Sequence, residues 1–123
     1  MPLPSSSTPR PHLRGGLSPA ALRRVQVFIE ANLGSALRLH DISARAALSP
    51  YHFSRAFKRS MGMTPRTFVE HRRVERARRL LVASQLSLAH IATECGFSTQ
   101  SRLTTTFKRR TGFTPAAYRR GRK

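Results

Sequence analysis

The chain has 123 residues, 23 of them Lys or Arg against five Asp or Glu, for a formal net charge of +18. That length allows one ordinary domain, or two small units that must lean on each other for a core, and the charge calls for a polyanionic partner: nucleic acid, an anionic membrane or an acidic protein. The single cysteine, Cys95, excludes an internal disulfide and a thiolate metal cluster and suits a reducing compartment.

The N-terminal stretch MPLPSSSTPRPHLRGG has four Pro and three Ser and lacks the apolar run of a secretory signal. Residues 1–17 therefore read as a flexible tail or linker remnant, with little to bury. No segment approaches the ~18 apolar residues of a membrane span, so the reading is a soluble, non-exported protein with no membrane partner.

Four Ser-Pro or Thr-Pro pairs then punctuate the chain. A hydroxyl at the cap accepts from an orphan backbone N–H, and Pro at the first helical position lacks the N–H that would go unpaired. Ser18-Pro19 opens a helix with Leu22, Val25, Phe28, Ile29 and Leu33 at helical spacing and Gly34 as its expected stop. Residues 40–47 form a short helical pattern. Ser49-Pro50 opens YHFSRAFKRSM, stopped by Gly62. Thr64-Pro65 opens a long helix to about Ala83, roughly 27 Å at 1.5 Å per residue. Residues 88–95 and 99–110 follow, the latter with Ser98 as expected cap, and Thr114-Pro115 opens a last short helix containing Tyr118. The expected fold is all-α, seven helices forming two helix-turn-helix units joined by a long linker helix: 18–64, then 65–83, then 84–123.

The two units are copies. FKRSMGMTP at 57–65 and FKRRTGFTP at 107–115 share six of nine letters. At an offset of 49, Leu37, Leu39, Ile42 and Ser49 match Leu86, Leu88, Ile91 and Ser98. At an offset of 50, Phe53, Phe57, Gly62, Pro65 and Phe68 match Leu103, Phe107, Gly112, Pro115 and Tyr118. One extra residue therefore entered the second copy near its turn. Each copy is a short helix, a tight turn (Ala47-Leu48 or Gly96-Phe97), a longer helix, then Gly and a Thr-Pro restart, which is a helix-turn-helix layout.

In the longer helix of the first copy, Phe53, Ala56, Phe57 and Ser60 share an inward face, onto which Leu48 can staple. The opposite stripe is Tyr51, Ser54, Arg55 and Lys58, with His52 at its margin. Its counterpart is Ser101, Thr104, Thr105 and Lys108, with Arg102 beside it and Gln100 one step earlier. A lone polar stripe is ordinarily only solvated; two in the same register, short side chains first and cations later, suit a helix pressed into a major groove. Arg55, Arg102 and Gln100 have the donors and acceptors to read guanine or adenine. Lys58, Arg59, Lys108, Arg109 and Arg110 come later, where phosphate contact gives affinity and register; cations there also favour the helix C-terminus. The linker helix is long enough to hold two reading helices about one DNA turn apart, roughly 34 Å. Since the halves differ at most reading positions, the site is expected to be asymmetric.

Residues 18–120 resemble the DNA-binding domain of the AraC/XylS family of bacterial transcription regulators. The resemblance rests on FSRAFKRSMGMTP (53–65), RVERARRLL (73–81) and LSLAHIATECGFSTQSRLTTTFKRRTGFTPAAYRR (86–120). It implies seven helices, two reading helices in adjacent major grooves of double-stranded DNA, a cytoplasmic, nucleoid-associated protein, and control of transcription, often activation through contact with RNA polymerase. The family's base-touching positions fall on Tyr51, Ser54, Arg55, Gln100, Ser101, Arg102 and Thr105. Two departures stand out: Ala47 occupies a turn position where Gly is common, and Thr105 stands where a longer basic side chain often occurs. Most members carry a separate effector or dimerisation domain, for which these 123 residues have no room, so the chain reads as either a stand-alone two-unit regulator or a fragment cut at an interdomain linker.

Other chemistries find little support. His12, His40, His52, His71 and His90 show no metal-ligand spacing, Cys95 reads as a buried structural thiol, and no Ser-His-Asp set, carboxylate pair or phosphate-binding Gly loop appears. Neither enzyme nor cofactor is expected. The rival reading is a sequence-indifferent polyanion binder of RNA or bulk DNA; an RNA module would be expected to offer exposed aromatics for stacking, and Tyr51 is the main ring left outside the expected core.

Overall fold

The computed structural model describes residues 15–121; the expected tail up to residue 14, with His12, and the last two residues lie outside that range. The described residues form seven α-helices and no strand: α1 (Pro19–Ala31), α2 (Leu39–Ala44), α3 (Pro50–Met61), α4 (Pro65–Ala83), α5 (Leu88–Glu94), α6 (Gln100–Thr111) and α7 (Pro115–Gly121). They divide into two compact units. Among the described residues, one comprises 15–32 together with Leu37–Phe68; the other comprises Leu33–Ala36 and 69–121. The first turn of α4 thus belongs to the first unit and the rest to the second.

In the first unit the Ser18 hydroxyl accepts from the Ala21 N–H, and α1 buries Ala21, Leu22, Val25 and Ile29. The helix ends at Ala31, short of Gly34. Asn32 caps it, its own Nδ2 donating to the Phe28 carbonyl at 2.8 Å, and this local bond stops the helix before the glycine is reached. Phe28 is only half-buried, with the Arg45 guanidinium 4.2 Å over its ring. α3 buries Phe53, Ala56, Phe57 and Ser60, and Phe57 packs edgewise on Phe68. Leu48, expected to staple onto Phe53, remains 38% exposed, while Phe53 itself is fully buried. Leu17, expected in the flexible tail, is buried: its N–H donates to the Ser60 hydroxyl at 2.8 Å, which also satisfies the polar atom that α3 turns inward.

In the second unit Val74, Ala77 and Leu81 of α4 meet Ile91, Ala92 and Cys95 of the α5 region and Leu103 and Phe107 of α6, with Leu80, Phe97 and Tyr118 at the margin. Leu33–Ala36 is tied here by one half-buried arginine, Arg73, whose Nε donates to the Leu33 carbonyl (3.0 Å) and Nη2 to the Ser35 carbonyl (2.7 Å).

The turns between α2 and α3 and between α5 and α6 share the same crossed pair of backbone bonds. Leu48 N–H donates to Ser43 and Ala47 N–H to Ala44; Phe97 N–H donates to Ala92 and Gly96 N–H to Thr93. This pairing is a Schellman motif, and it requires a left-handed residue at its penultimate position. Gly96 supplies it at φ 87° and Ala47 at φ 56°. The extra residue of the second copy falls after that turn: Thr99, not Ser98, caps α6 and accepts from the Arg102 N–H, so the caps Ser49 and Thr99 correspond at the same offset as the helices they start. The hydroxyl of Thr99, one residue nearer the helix, reaches the N–H three residues on. Both helices end alike, on left-handed Gly62 and Gly112.

A left-handed alanine costs about 1–2 kcal/mol against the freer unfolded chain of glycine, about 0.4–1 kcal/mol, so Ala47→Gly should stabilise the protein by about 0.5–1 kcal/mol in urea titration. Gly96→Ala should destabilise it by about 3 kcal/mol or more, since the added Cβ would lie 2.0 Å from the Leu33 carbonyl oxygen and 2.6 Å from the Arg73 Nε.

Candidate nucleic-acid interface

α3 and α6 divide their surfaces in the same way. Phe53, Ala56 and Phe57 face the first core, Leu103, Thr106 and Phe107 the second. The opposite faces are open: Tyr51, Arg55, Lys58 and Arg59 on α3, and Gln100, Ser101, Arg102, Thr105, Lys108 and Arg109 on α6, are all exposed, while Ser54 and Arg110 are half-buried. All seven proposed base-reading positions thus lie outside the buried faces.

On α3 the stripe is held in place by its own side chains. The Ser49 hydroxyl accepts from the His52 N–H and lies 2.8 Å from His52 Nδ1. The His52 ring meets the Tyr51 ring edge-on at 5.5 Å, and the Arg55 guanidinium sits 5.7 Å from the Tyr51 centroid. Such contacts are each worth only about 0.5–1 kcal/mol at an exposed site, but they narrow the positions from which Arg55 reaches out. His52 appeared in sequence only as a marginal member; its cap contact depends on the Ser49 hydroxyl three residues earlier, a spacing visible in the sequence once the cap is recognised.

On α6 the last turn is different in kind. Glu70 of α4 accepts from Arg109 Nη2 at 2.7 Å and from Arg110 Nη1 at 3.1 Å. Burial of the Glu70 carboxyl would raise its pKa, but the hydrogen bonds and charges of Arg109 and Arg110 together outweigh that and hold it below the usual carboxylate value. Two of the five proposed phosphate residues therefore already have an acidic partner within the chain.

The arginines of α4 are not one solvated girdle. Arg73 holds Leu33 and Ser35, Arg76 donates to the Glu94 carbonyl at 3.4 Å, and Arg78 pairs with Glu75 at 3.3 Å and stacks on Tyr118. Arg119 of α7 likewise binds the carbonyls of Leu81 and Ser84. A share of the chain's charge thus closes helix ends and loops, which composition alone could not reveal. A second exposed ring also emerges, Phe113 at 57%, beside Tyr51 at 67%. No group of three or more His, Cys, Asp or Glu able to hold a metal is found among the described residues, and no described helix is long and apolar enough to cross a membrane.

Two surface stripes of equal register, each borne by the second helix of a Schellman-linked pair, define a tandem helix-turn-helix protein. A family profile described as a helix-turn-helix domain matches residues 42–121. The chain belongs to the AraC/XylS family. Among solved structures, the C-terminal domain of AraT, a response regulator from Geobacillus stearothermophilus, is 32% identical, covers 86% of this chain and 88% of that one, and superposes with a TM-score of 0.80. The DNA-binding domain of AdpA, the global transcriptional factor, solved in complex with a target DNA, is 33% identical over 81% of this chain and 89% of that one, with a TM-score of 0.76. Among curated relatives, the HTH-type transcriptional regulator Rv1931c of Mycobacterium tuberculosis is 40% identical over 71% of this chain and 34% of its own length. The chain spans about a third of the length of the curated relatives it matches.

Cys95, fully buried in the second core, has its thiol pushed up to about 11, mainly by burial, with nearby Arg76 acting in the opposite sense. At pH 8 it is a neutral thiol in the folded state, and the thiolate is the reactive form. An aromatic disulfide reagent should therefore label Cys95 only as fast as the protein opens, and the rate should climb with urea in step with unfolding.

Proposed function

We propose that this AraC/XylS-family chain binds double-stranded DNA in a sequence-specific manner and regulates transcription in the bacterial cytoplasm, with α3 and α6 each set into a major groove and the two grooves adjacent. The observation that carries the reading is the repeated division of α3 and α6: a hydroxyl cap at one end and a left-handed glycine at the other, buried aromatic or aliphatic faces, and open polar stripes in one register. The AdpA domain, similar in fold and sequence, is a DNA binder in its solved complex, which supports the same role here.

In this reading Arg55 and Arg102 offer forks suited to guanine edges, and Gln100 a donor–acceptor pair suited to adenine. Tyr51, Ser54, Ser101 and Thr105 make the closer contacts that short or flat side chains allow. Lys58, Arg59, Lys108 and, once freed from Glu70, Arg109 and Arg110 contact phosphate and set register. Activation through RNA polymerase belongs to the same proposal, resting on family membership alone.

Selection of binding sites from a random duplex pool should return an asymmetric sequence with two half-sites about 10–10.5 base pairs apart, bound roughly 10³-fold or more above random duplex. A chain that bound all duplexes equally would be a charge-only polyanion binder instead. On the selected site, Arg55→Ala and Gln100→Ala should each lose about 1–3 kcal/mol of discrimination at one or two base pairs, while Lys58→Ala and Lys108→Ala should weaken every duplex alike and reduce the salt slope by about one. Equal losses on selected and random DNA for the first pair would remove Arg55 and Gln100 from the reading role.

A further inference from the structure

Acidic residues are scarce in this chain, five against 23 cations, yet Glu70 is set against the end of a reading helix. Its carboxylate takes Arg109 as a fork, Oε2 to Nη2 at 2.7 Å and Oε1 to Nη1 at 3.5 Å, and takes Arg110 Nη1 on the same Oε1 at 3.1 Å. The two arginines differ in reach. Arg110 is largely covered, its side chain 24% exposed, whereas Arg109 is 57% exposed. Arg109 also continues the open stripe of α6, being four residues after Thr105 and seven after Arg102, on the same helical face. In the first copy Arg59 corresponds to Arg109, and Ser60, a buried residue whose hydroxyl accepts from the Leu17 N–H, stands where Arg110 does.

A guanidinium fork binds phosphate oxygens with the donors it uses for a carboxylate, so Glu70 and a DNA phosphate compete for one side chain. We infer that Glu70 is a specificity-determining residue that acts through Arg109, occupying it as an internal phosphate substitute until a fully docked site displaces the carboxylate. The inference rests on the DNA-reading proposal above. On random duplex the protein is held by diffuse attraction to the backbone, and nothing brings a phosphate close enough to take Arg109 from a partner at 2.7 Å. On a cognate site, base contacts from Gln100, Arg102 and Thr105 seat α6 in the groove, and the backbone arrives against Arg109 at a fixed distance. The charge of Arg109 thus counts in the specific complex and is withheld from the non-specific one.

The test compares wild type, the isosteric Glu70→Gln, the charge-preserving Glu70→Asp, and Glu75→Gln, which removes an acid paired elsewhere, with Arg78. Binding is measured by fluorescence anisotropy across a salt series, on random duplex and on the duplex selected by the wild type, with thermal melting to separate stability from binding. With Glu70→Gln the random-duplex slope of log K against log salt should steepen by about 0.9, so that its advantage over wild type grows about three- to fourfold from 200 to 50 mM salt. Its slope on the selected duplex should stay that of wild type, and the preference for the selected site should fall. Glu70→Asp should keep the wild-type slope, and adding Arg109→Ala to Glu70→Gln should abolish the steepening. An unchanged random-duplex slope for Glu70→Gln, equal steepening on both duplexes, or the same steepening in Glu75→Gln would each overturn the inference. A wild type with no preference for any selected duplex would instead sink the DNA-reading proposal, and the random-duplex slopes would still report on Glu70.

Discussion

A left-handed residue between two helices, held by a crossed pair of backbone hydrogen bonds, is the constraint on which both halves of this protein depend. At Ala47 and at Gly96 it turns the chain sharply enough that α3 and α6 lay their apolar faces on the helices before them, and so leave the opposite faces open. Without that turn a helix with Phe53 and Phe57 on one side and Tyr51 and Arg55 on the other would have no reason to present either in a fixed direction. The second copy uses glycine because space as well as torsion demands it: the Leu33 carbonyl and the Arg73 guanidinium fill the volume a Cβ would occupy. The first copy carries alanine and bears the torsional strain.

The charge of the chain acts at two levels. Exposed cations such as Arg55, Lys58 and Lys108 make the surface attractive to a polyanion. Others are fasteners: Arg73, Arg76 and Arg119 bind backbone carbonyls left open at the ends of α4 and α5 or in the strap after α1, a use that suits the five donors of a guanidinium and that lysine would serve poorly. The preference for arginine in this composition thus has a structural cause alongside any DNA-binding one. Glu70 links the two levels, since it both ties α4 to α6 and lowers the charge offered by the last turn of α6.

Much of this organisation could be read along the chain because the determinants are local. A hydroxyl before proline caps α1 and α3, glycine in a left-handed conformation ends α3 and α6, and aromatic residues at helical spacing mark the buried faces; each depends on neighbours within a turn or two. The duplication strengthened every such signal by stating it twice. Local reading erred where two local solutions competed: Thr99 took the cap from Ser98, and Asn32 stopped α1 ahead of Gly34.

The sequence by itself therefore determined the seven helices, the two copies, the polar register of α3 and α6, and the family to which they belong, because helix periodicity and capping are encoded over a few residues. Only the tertiary structure decided which arginines are fasteners and which are free to meet a ligand, that Leu17 joins the first core, and that Leu33–Ala36 is held by the second unit. Arg73 reaches Leu33 across 40 residues and Arg109 reaches Glu70 across 39, and pairing over such separations is set by how helices pack, which no local pattern of charge records.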